Sequence, residues 1–358
     1  MSALIIGAGM FSLPYLFIRS GVAVGFVYLA IFAVVFSIIH WMYAEIINNT
    51  EGTHRFVGYA KLYLGKAGFY ASFLTTVIGL IATLLIYITL SVSFMQIFAP
   101  AFGAQLAAVL FWMISAIPVI LGIARIANAG FSITLMMIAV ILALFFYGAS
   151  SFNLGNLTTV SPGNIFLPYA AVLFSLGGRS AISSIVNYLR ENKLSAQKLN
   201  LSIVLGTIAP AVLYALFAVG ILGLSGGSAS PDAISGLVNI PPMLLLMFAF
   251  LGTASLWTSY IFLGLEFKEI LKSDFRFKEA MASLLVTILP ISLYFMGLND
   301  FLVLIGIAGG IFLATESILV VLMWRKLNKR GPMLHIFSWI IIIVFLAGAF
   351  YEASQLFK

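Results

Sequence analysis

The sequence predicts an all-helical integral membrane protein of eleven spans, in two sets of five plus one, with the first and sixth spans broken midway. Three observations carry this. Of 358 residues, 63% are hydrophobic and only 8% charged, whereas a soluble domain carries about 25% charged residues. Apolar stretches of membrane-crossing length recur along the chain; a helix needs about 20 apolar residues, at about 1.5 Å each, to cross about 30 Å of hydrocarbon. Glycine pairs interrupt two of these stretches, five spans apart.

The spans fall at 2–19, 21–47, 68–98, 102–122, 126–149, 165–189, 199–225, 241–267, 279–297, 299–324 and 333–357. All read as helices, because no ten-residue alternating pattern suggests a barrel. Lys and Arg set the orientation. Arg55, Lys61 and Lys66, then Arg125, then Arg190, Lys193 and Lys198 lie in loops of one side. Lys268, Lys272, Arg276 and Lys278, then Arg325, Lys326, Lys329 and Arg330, continue that side. Only Arg19 and Lys358 fall on the other, and Arg179 lies within a span. The asymmetry places the amino terminus in the cytoplasm and the carboxyl terminus outside. The net charge of +7 is thus topological and implies no nucleic-acid partner.

The opposite loops, 150–164 and 226–239, are polar and poor in charge. The second is expected to hold a short helix over the outer mouth. Asn156-Leu157-Thr158 fits a glycosylation sequon, a short pattern of little weight. With no Cys, disulfides, thiolate metal sites and Cys nucleophiles are excluded. His40, His54 and His335 are scattered, without metal-ligand spacing. No enzyme and no cofactor is expected, apart from a coupling Na⁺ or H⁺.

The first span holds Ile5-Ile6-Gly7-Ala8-Gly9-Met10-Phe11-Ser12-Leu13-Pro14. Interior glycine weakens a helix by about 1 kcal/mol relative to alanine and lets the backbone leave helical geometry. The six residues before Gly7 are short for a half-helix, so the expectation is a late start or a trimmed chain. The sixth span repeats the device in Phe174-Ser175-Leu176-Gly177-Gly178, followed by Arg179. Interrupted spans at corresponding places in two halves point to a transporter binding site.

A broken helix offers free N–H groups at the start of its second half and free carbonyls at the end of its first, with partial charges to match. A zwitterion needs both. The amides of Gly7, Ala8 and Gly9 suit a carboxylate, and the carbonyls of Ile6, Phe174 and Ser175 suit an amine. Leu176, Gly177, Gly178 and Arg179 complete this candidate substrate site.

These motifs resemble a known group. Gly7-Ala8-Gly9-Met10-Phe11-Ser12-Leu13-Pro14 is similar to the first-helix signature of permeases in the amino acid–polyamine–organocation superfamily, and Phe174-Ser175-Leu176-Gly177-Gly178 resembles its sixth-helix break. Met42-Tyr43-Ala44-Glu45, the stretch from His54 to Ala60, Leu64-Gly65-Lys66, and Thr258-Ser259-Tyr260 with Leu263-Gly264-Leu265 resemble the amino acid/auxin and aromatic amino acid permease branches. The resemblance implies a LeuT-type inverted repeat with alternating access: 1–149 and 165–324 as the repeats, 333–357 as an additional helix. It implies a secondary amino-acid transporter of the cell membrane. Arg179 and Ser183-Ser184 depart from the pattern, since the branches often carry an apolar or aromatic residue and Pro-Glu there.

Several polar residues keep two readings. Arg179 contacts an anionic group of the substrate or stands in for a cation; alternatively it pairs with Glu316 or Glu45, or snorkels. Glu316 carries a coupled proton or partners Arg179 or hydroxyls. Ser255, Thr258 and Ser259 share one helical face; with the Ile6 carbonyl they form a sodium site, which the resemblance places between helices one and eight, or they bond helices together. Glu45 is expected in an interfacial salt bridge. Phe11, Phe174 and Trp257 line or gate the pocket, or pack. The glycine-rich, aromatic surroundings suggest a neutral or aromatic amino acid, and Arg179 leaves an acidic one open. A non-transporting amino-acid sensor or accessory subunit of the same fold is the alternative function.

Overall fold

The protein is described from a computed structural model, which covers residues 5–52, 54–123, 127–153, 155, 160–193, 195–237, 240–327 and 332–356. The sequon Asn156-Leu157-Thr158 lies outside the described residues.

Every regular element among the described residues is helical. A 3-10 stretch, Ala8–Ser12, leads into α1 (Leu13–Ser20). Then come α2 (Val22–Asn48), α3 (Phe56–Phe98), α4 (Ala104–Leu121) and α5 (Ala127–Ala149). The sixth span is split into α6 (Pro168–Leu176) and α7 (Arg179–Glu191). It is followed by α8 (Ala196–Leu224), α9 (Pro242–Ser273) and α10 (Glu279–Phe295). The tenth span runs as α11 (Phe301–Ile305), a π-helical stretch Gly306–Leu313 and α12 (Ala314–Leu327), and the last is α13 (Pro332–Gln355). Nine helical stretches among the described residues are long and apolar enough to cross a membrane. The 17-residue α10 and the broken first span complete the expected eleven.

The structure departs from the sequence reading in three places. Helix α3 starts well before its span and bends at Gly65, whose φ of 70° and ψ of −152° are open to glycine and costly for other residues. The piece before the bend buries Phe56, Val57, Tyr59 and Ala60. Second, residues 226–237 form turns, where a short helix was expected. Gly226 and Gly227 adopt positive φ. Asp232 accepts from the Ser230 and Ser235 hydroxyls at 2.7 and 2.5 Å and from the N–H groups of Ile234 and Ser235. Such side-chain bonding competes with helix formation. Burial pushes the Asp232 carboxyl up, but these four donors outweigh it and hold the group below its usual range.

Third, the tenth span is not a plain α-helix. Gly306 and Gly310 pack against Glu352 of α13. Gly309 faces α6 instead: a Cβ there would overlap the Ala170 carbonyl oxygen. A Cβ on Gly310 would also stand 3.1 Å from the Ala170 side chain, so the π stretch is wedged between α6 and α13.

The tightest seam joins α5 to α8. A Cβ on Gly148 would overlap the Gly220 carbonyl oxygen, and one on Gly223 would overlap that of Gly148. With no hydrophobic driving force between helices in lipid, such backbone-to-backbone contact is what dispersion can use. The 3-10 stretch is anchored by rings. Phe11 meets Phe94, Phe217 and Phe248 at centroid distances of 4.8, 5.9 and 5.8 Å, tying the first span to α3, α8 and α9.

Gly220→Ala drives a methyl into the Leu144 backbone, 2.7 Å away, and is expected to cost about 1–3 kcal/mol. Gly103→Ala meets nothing within 4 Å and should leave stability unchanged. Thermal unfolding of the two variants in detergent checks this.

Candidate functional site

Both breaks occur where the glycines are. At Gly7 the backbone extends (φ −146°, ψ −155°) before the 3-10 stretch begins. In the sixth span the helix stops at Leu176, Gly177 extends (φ −64°, ψ 104°), and α7 starts after Gly178. Pro14 and Pro168 occupy first turns of helices, where no N–H is needed.

The breaks meet. A Cβ on Gly9 would stand 2.6 Å from Ser175 Cα, so only glycine allows the crossing. Gly178 packs on the Ile5 side chain in the same way. A cavity opens beside this crossing. Gly7, Ala8 and Gly9 line it from the first span, and Phe174, Gly177, Arg179 and Ser180 from the sixth. Thr75, Thr76, Gly79, Thr83 and Tyr87 face it from α3, Leu263 from α9, and Ala308, Phe312, Leu313 and Glu316 from the tenth span.

Hydrocarbon cannot satisfy freed backbone groups, and side chains take several of them here. The Tyr214 hydroxyl on α8 shares its single hydrogen between the carbonyls of Ile5 and Ser175, at 2.5 and 3.2 Å. Ser255 Oγ donates to the Ile6 carbonyl at 3.4 Å. The Gly178 N–H donates to His40 Nε2 at 3.3 Å. The Ile6 and Ser175 carbonyls, both assigned to ligand from sequence, and the Gly178 amide thus have protein partners in this structure.

Arg179 and Glu316 form a two-pronged ion pair. Nε donates to Oε2 at 2.9 Å and a terminal nitrogen donates to Oε1 at 3.2 Å. Thr76 adds a 2.6 Å bond to Oε1, and the guanidinium lies 4.1 Å from the centre of the Phe56 ring. Of the two acidic partners considered for Arg179, the structure gives it Glu316. Glu45 instead accepts from Trp324 Nε1 at 2.6 Å.

The hydroxyl face of α9 lies against the first break. Ser259 Oγ and the Tyr87 hydroxyl both approach Gly7, while Thr258 bonds back to the Ser255 carbonyl at 3.0 Å. Trp257 stands apart from the cavity lining, with its Nε1 donating to the Ile114 carbonyl of α4 at 3.2 Å. It occupies another face of α9 from Ser255 and Ser259, as helical spacing requires. Phe11 is packed in the aromatic cluster and Phe174 lines the cavity. No group of three or more His, Cys, Asp or Glu that could hold a metal occurs among the described residues.

Sequence reasoning missed the parts played by His40, Tyr87, Thr76 and Tyr214. One signal was available: Thr75, Gly79, Thr83 and Tyr87 recur every four residues, a polar and small stripe on one face of α3. For Tyr214 and His40, only the packing reveals the partner.

Arg179→Ala should cost about 3–5 kcal/mol, because it strands a buried carboxylate. Arg179→Met combined with Glu316→Leu should cost less than Arg179→Ala alone. Thermal unfolding of both variants in detergent reads the difference.

Known proteins fit this architecture. No curated protein matches the sequence. Among solved structures, MhsT in complex with L-phenylalanine is 18% identical, covering 97% of each chain with a TM-score of 0.69. Two variants of a manganese transporter from Eremococcus coleocola are 12% identical, covering 99% of this chain and 85% of theirs, with TM-scores of 0.59. At such identities the likeness is one of fold, the expected LeuT-type arrangement. The sequence pattern of the tryptophan/tyrosine permease family matches residues 1–351. The chain therefore belongs to the tryptophan/tyrosine permease family, as a multi-pass membrane transporter and not an enzyme.

Proposed function

We propose that the protein moves an aromatic amino acid, tryptophan or tyrosine first, across the membrane by alternating access, driven by Na⁺ or H⁺. The observation that carries this reading is the crossing of two broken helices at Gly9 and Ser175 beside a buried cavity. Repeats 1–149 and 165–324 supply one break each, and 333–357 is the additional helix. The amino terminus lies in the cytoplasm, as the basic loops require.

The amides at Gly7, Ala8 and Gly9 take the substrate carboxylate, because the start of a helical segment carries partial positive charge. The Ile6 and Phe174 carbonyls take the ammonium. Phe174, Phe312, Leu263 and Leu80 give the ring an apolar wall. MhsT binds L-phenylalanine, which agrees with an aromatic substrate in such a fold. Arg179 is paired internally, which favours a neutral side chain over an acidic one. For the ion, Ile6 O, Ser255, Thr258 and Ser259 offer hard oxygens, and Glu316 offers a carboxylate for a proton.

Liposome uptake of labelled tryptophan, tyrosine, phenylalanine, leucine and glutamate, with Na⁺ and pH gradients imposed separately, tests the reading. Saturable uptake of the aromatic substrates, with counterflow, is expected. Binding without counterflow overturns transport and selects a sensor. Thr258→Ala with Ser259→Ala should abolish a Na⁺ response, and Glu316→Gln should abolish a pH response, whichever gradient drives uptake.

A further inference from the structure

His40 sits where the sixth span breaks, and its hydrogen bonds fix its chemical form. The side chain is buried, at 1% exposure. Thr207 Oγ1 donates its single hydrogen to the Ile203 carbonyl at 3.0 Å. It therefore accepts from His40 Nδ1, also 3.0 Å away, and Nδ1 carries the ring hydrogen. Nε2 is left as an acceptor, and the Gly178 N–H donates to it at 3.3 Å. A neutral imidazole can do both; a protonated one has two donors and no acceptor. Protonated His40 would set N–H against N–H at Gly178.

The contact joins three elements. His40 belongs to α2, Thr207 to α8, and Gly178 is the residue immediately before α7. A Cβ on Gly178 would stand 3.4 Å from His40 Cε1 and 2.7 Å from Ile5, so the ring closes directly on the backbone. The groups of ionisable type facing this space are Tyr43 on α2, Arg179 on α7 and Glu316 on α12, which line a small cavity with His40. Arg179 and Glu316 are paired with each other, leaving the imidazole as the partner of the Gly178 amide.

We propose that His40 is a positioning residue of the transport cycle: neutral, with its hydrogen on Nδ1, it latches the break so that α7 leaves its seat on α2 and α8 only when the Gly178–His40 bond opens. The proposal rests on the alternating-access reading. Proton uptake by His40 and the seated α7 exclude each other, so acid on the cytoplasmic side favours the released half-helix.

The chain has no Cys, so a single reporter can be placed freely. Val186 on α7 is 1% exposed, and Val186→Cys should react with a membrane-impermeant maleimide only when α7 moves. In inside-out vesicles without substrate, His40→Leu is expected to raise the labelling rate about five- to tenfold, the worth of about one buried hydrogen bond. His40→Gln, which keeps one donor and one acceptor, should restore the slow rate. Thr207→Val should label faster too, and it serves if His40→Leu does not fold. With each rate divided by that of the same reporter in unfolded protein at the same pH, which removes the loss of thiolate in acid, lowering the pH from about 7.5 to about 5.5, across the usual imidazole range, should raise relative labelling with His40 and not with His40→Gln. Labelling at the reporter's original rate in folded His40→Leu or Thr207→Val overturns the latch, and so do equal acid responses with His40 present and with His40→Gln. Because no substrate is used, a protein that labels as expected yet transports nothing would overturn the transport reading and leave the latch standing.

Discussion

Everything in this structure answers to one constraint: a backbone that breaks inside hydrocarbon frees N–H and C=O groups that lipid cannot bond. The chain breaks twice, at Gly7 and at Gly177–Gly178. It brings the breaks together and surrounds them with hydroxyls and an imidazole. Tyr214 takes two carbonyls, Ser255 a third, and His40 an amide. These donors and acceptors come from α2, α8 and α9, so the freed groups couple the interrupted spans to their continuous neighbours. The same exchangeable bonds suit a substrate site, since a zwitterion can replace a side chain at small net cost when each bond lost is matched by one gained.

Charge is handled by the same rule. An arginine inside a membrane bundle needs a counter-ion, and Glu316 meets Arg179 with two bonds while Thr76 also bonds one of its oxygens. The Phe56 ring covers the guanidinium face, a favourable use of the ring's quadrupole. Phe56 reaches that position because α3 bends at Gly65. A single glycine of positive φ at the edge of a span thus places a ring over an ion pair deep in the bundle.

Much of the fold was legible in the sequence. Span length follows from bilayer thickness, and the glycine pairs in spans one and six marked the breaks because glycine alone leaves a helix cheaply. Arg179 and Glu316 were legible as unusual charges, but their pairing was one of several options. The hydroxyl stripe of α3 was visible in its spacing and passed over, because Thr in a membrane helix more often bonds its own backbone, as Thr75 and Thr83 do. The π stretch at Gly306–Leu313, packed between α6 and α13, left no periodic signal in the sequence.

The sequence by itself determined the class, the number of spans and the two places where helices break, because these depend on local composition and on the energetics of backbone in lipid. Only the tertiary structure decided that Gly9 crosses Ser175, that Arg179 chooses Glu316, that Tyr214 and His40 hold the breaks, and that Trp257 turns toward α4. Each of those outcomes depends on the distance between residues far apart in the chain, and helical periodicity specifies which face a residue occupies without specifying which helix that face will meet.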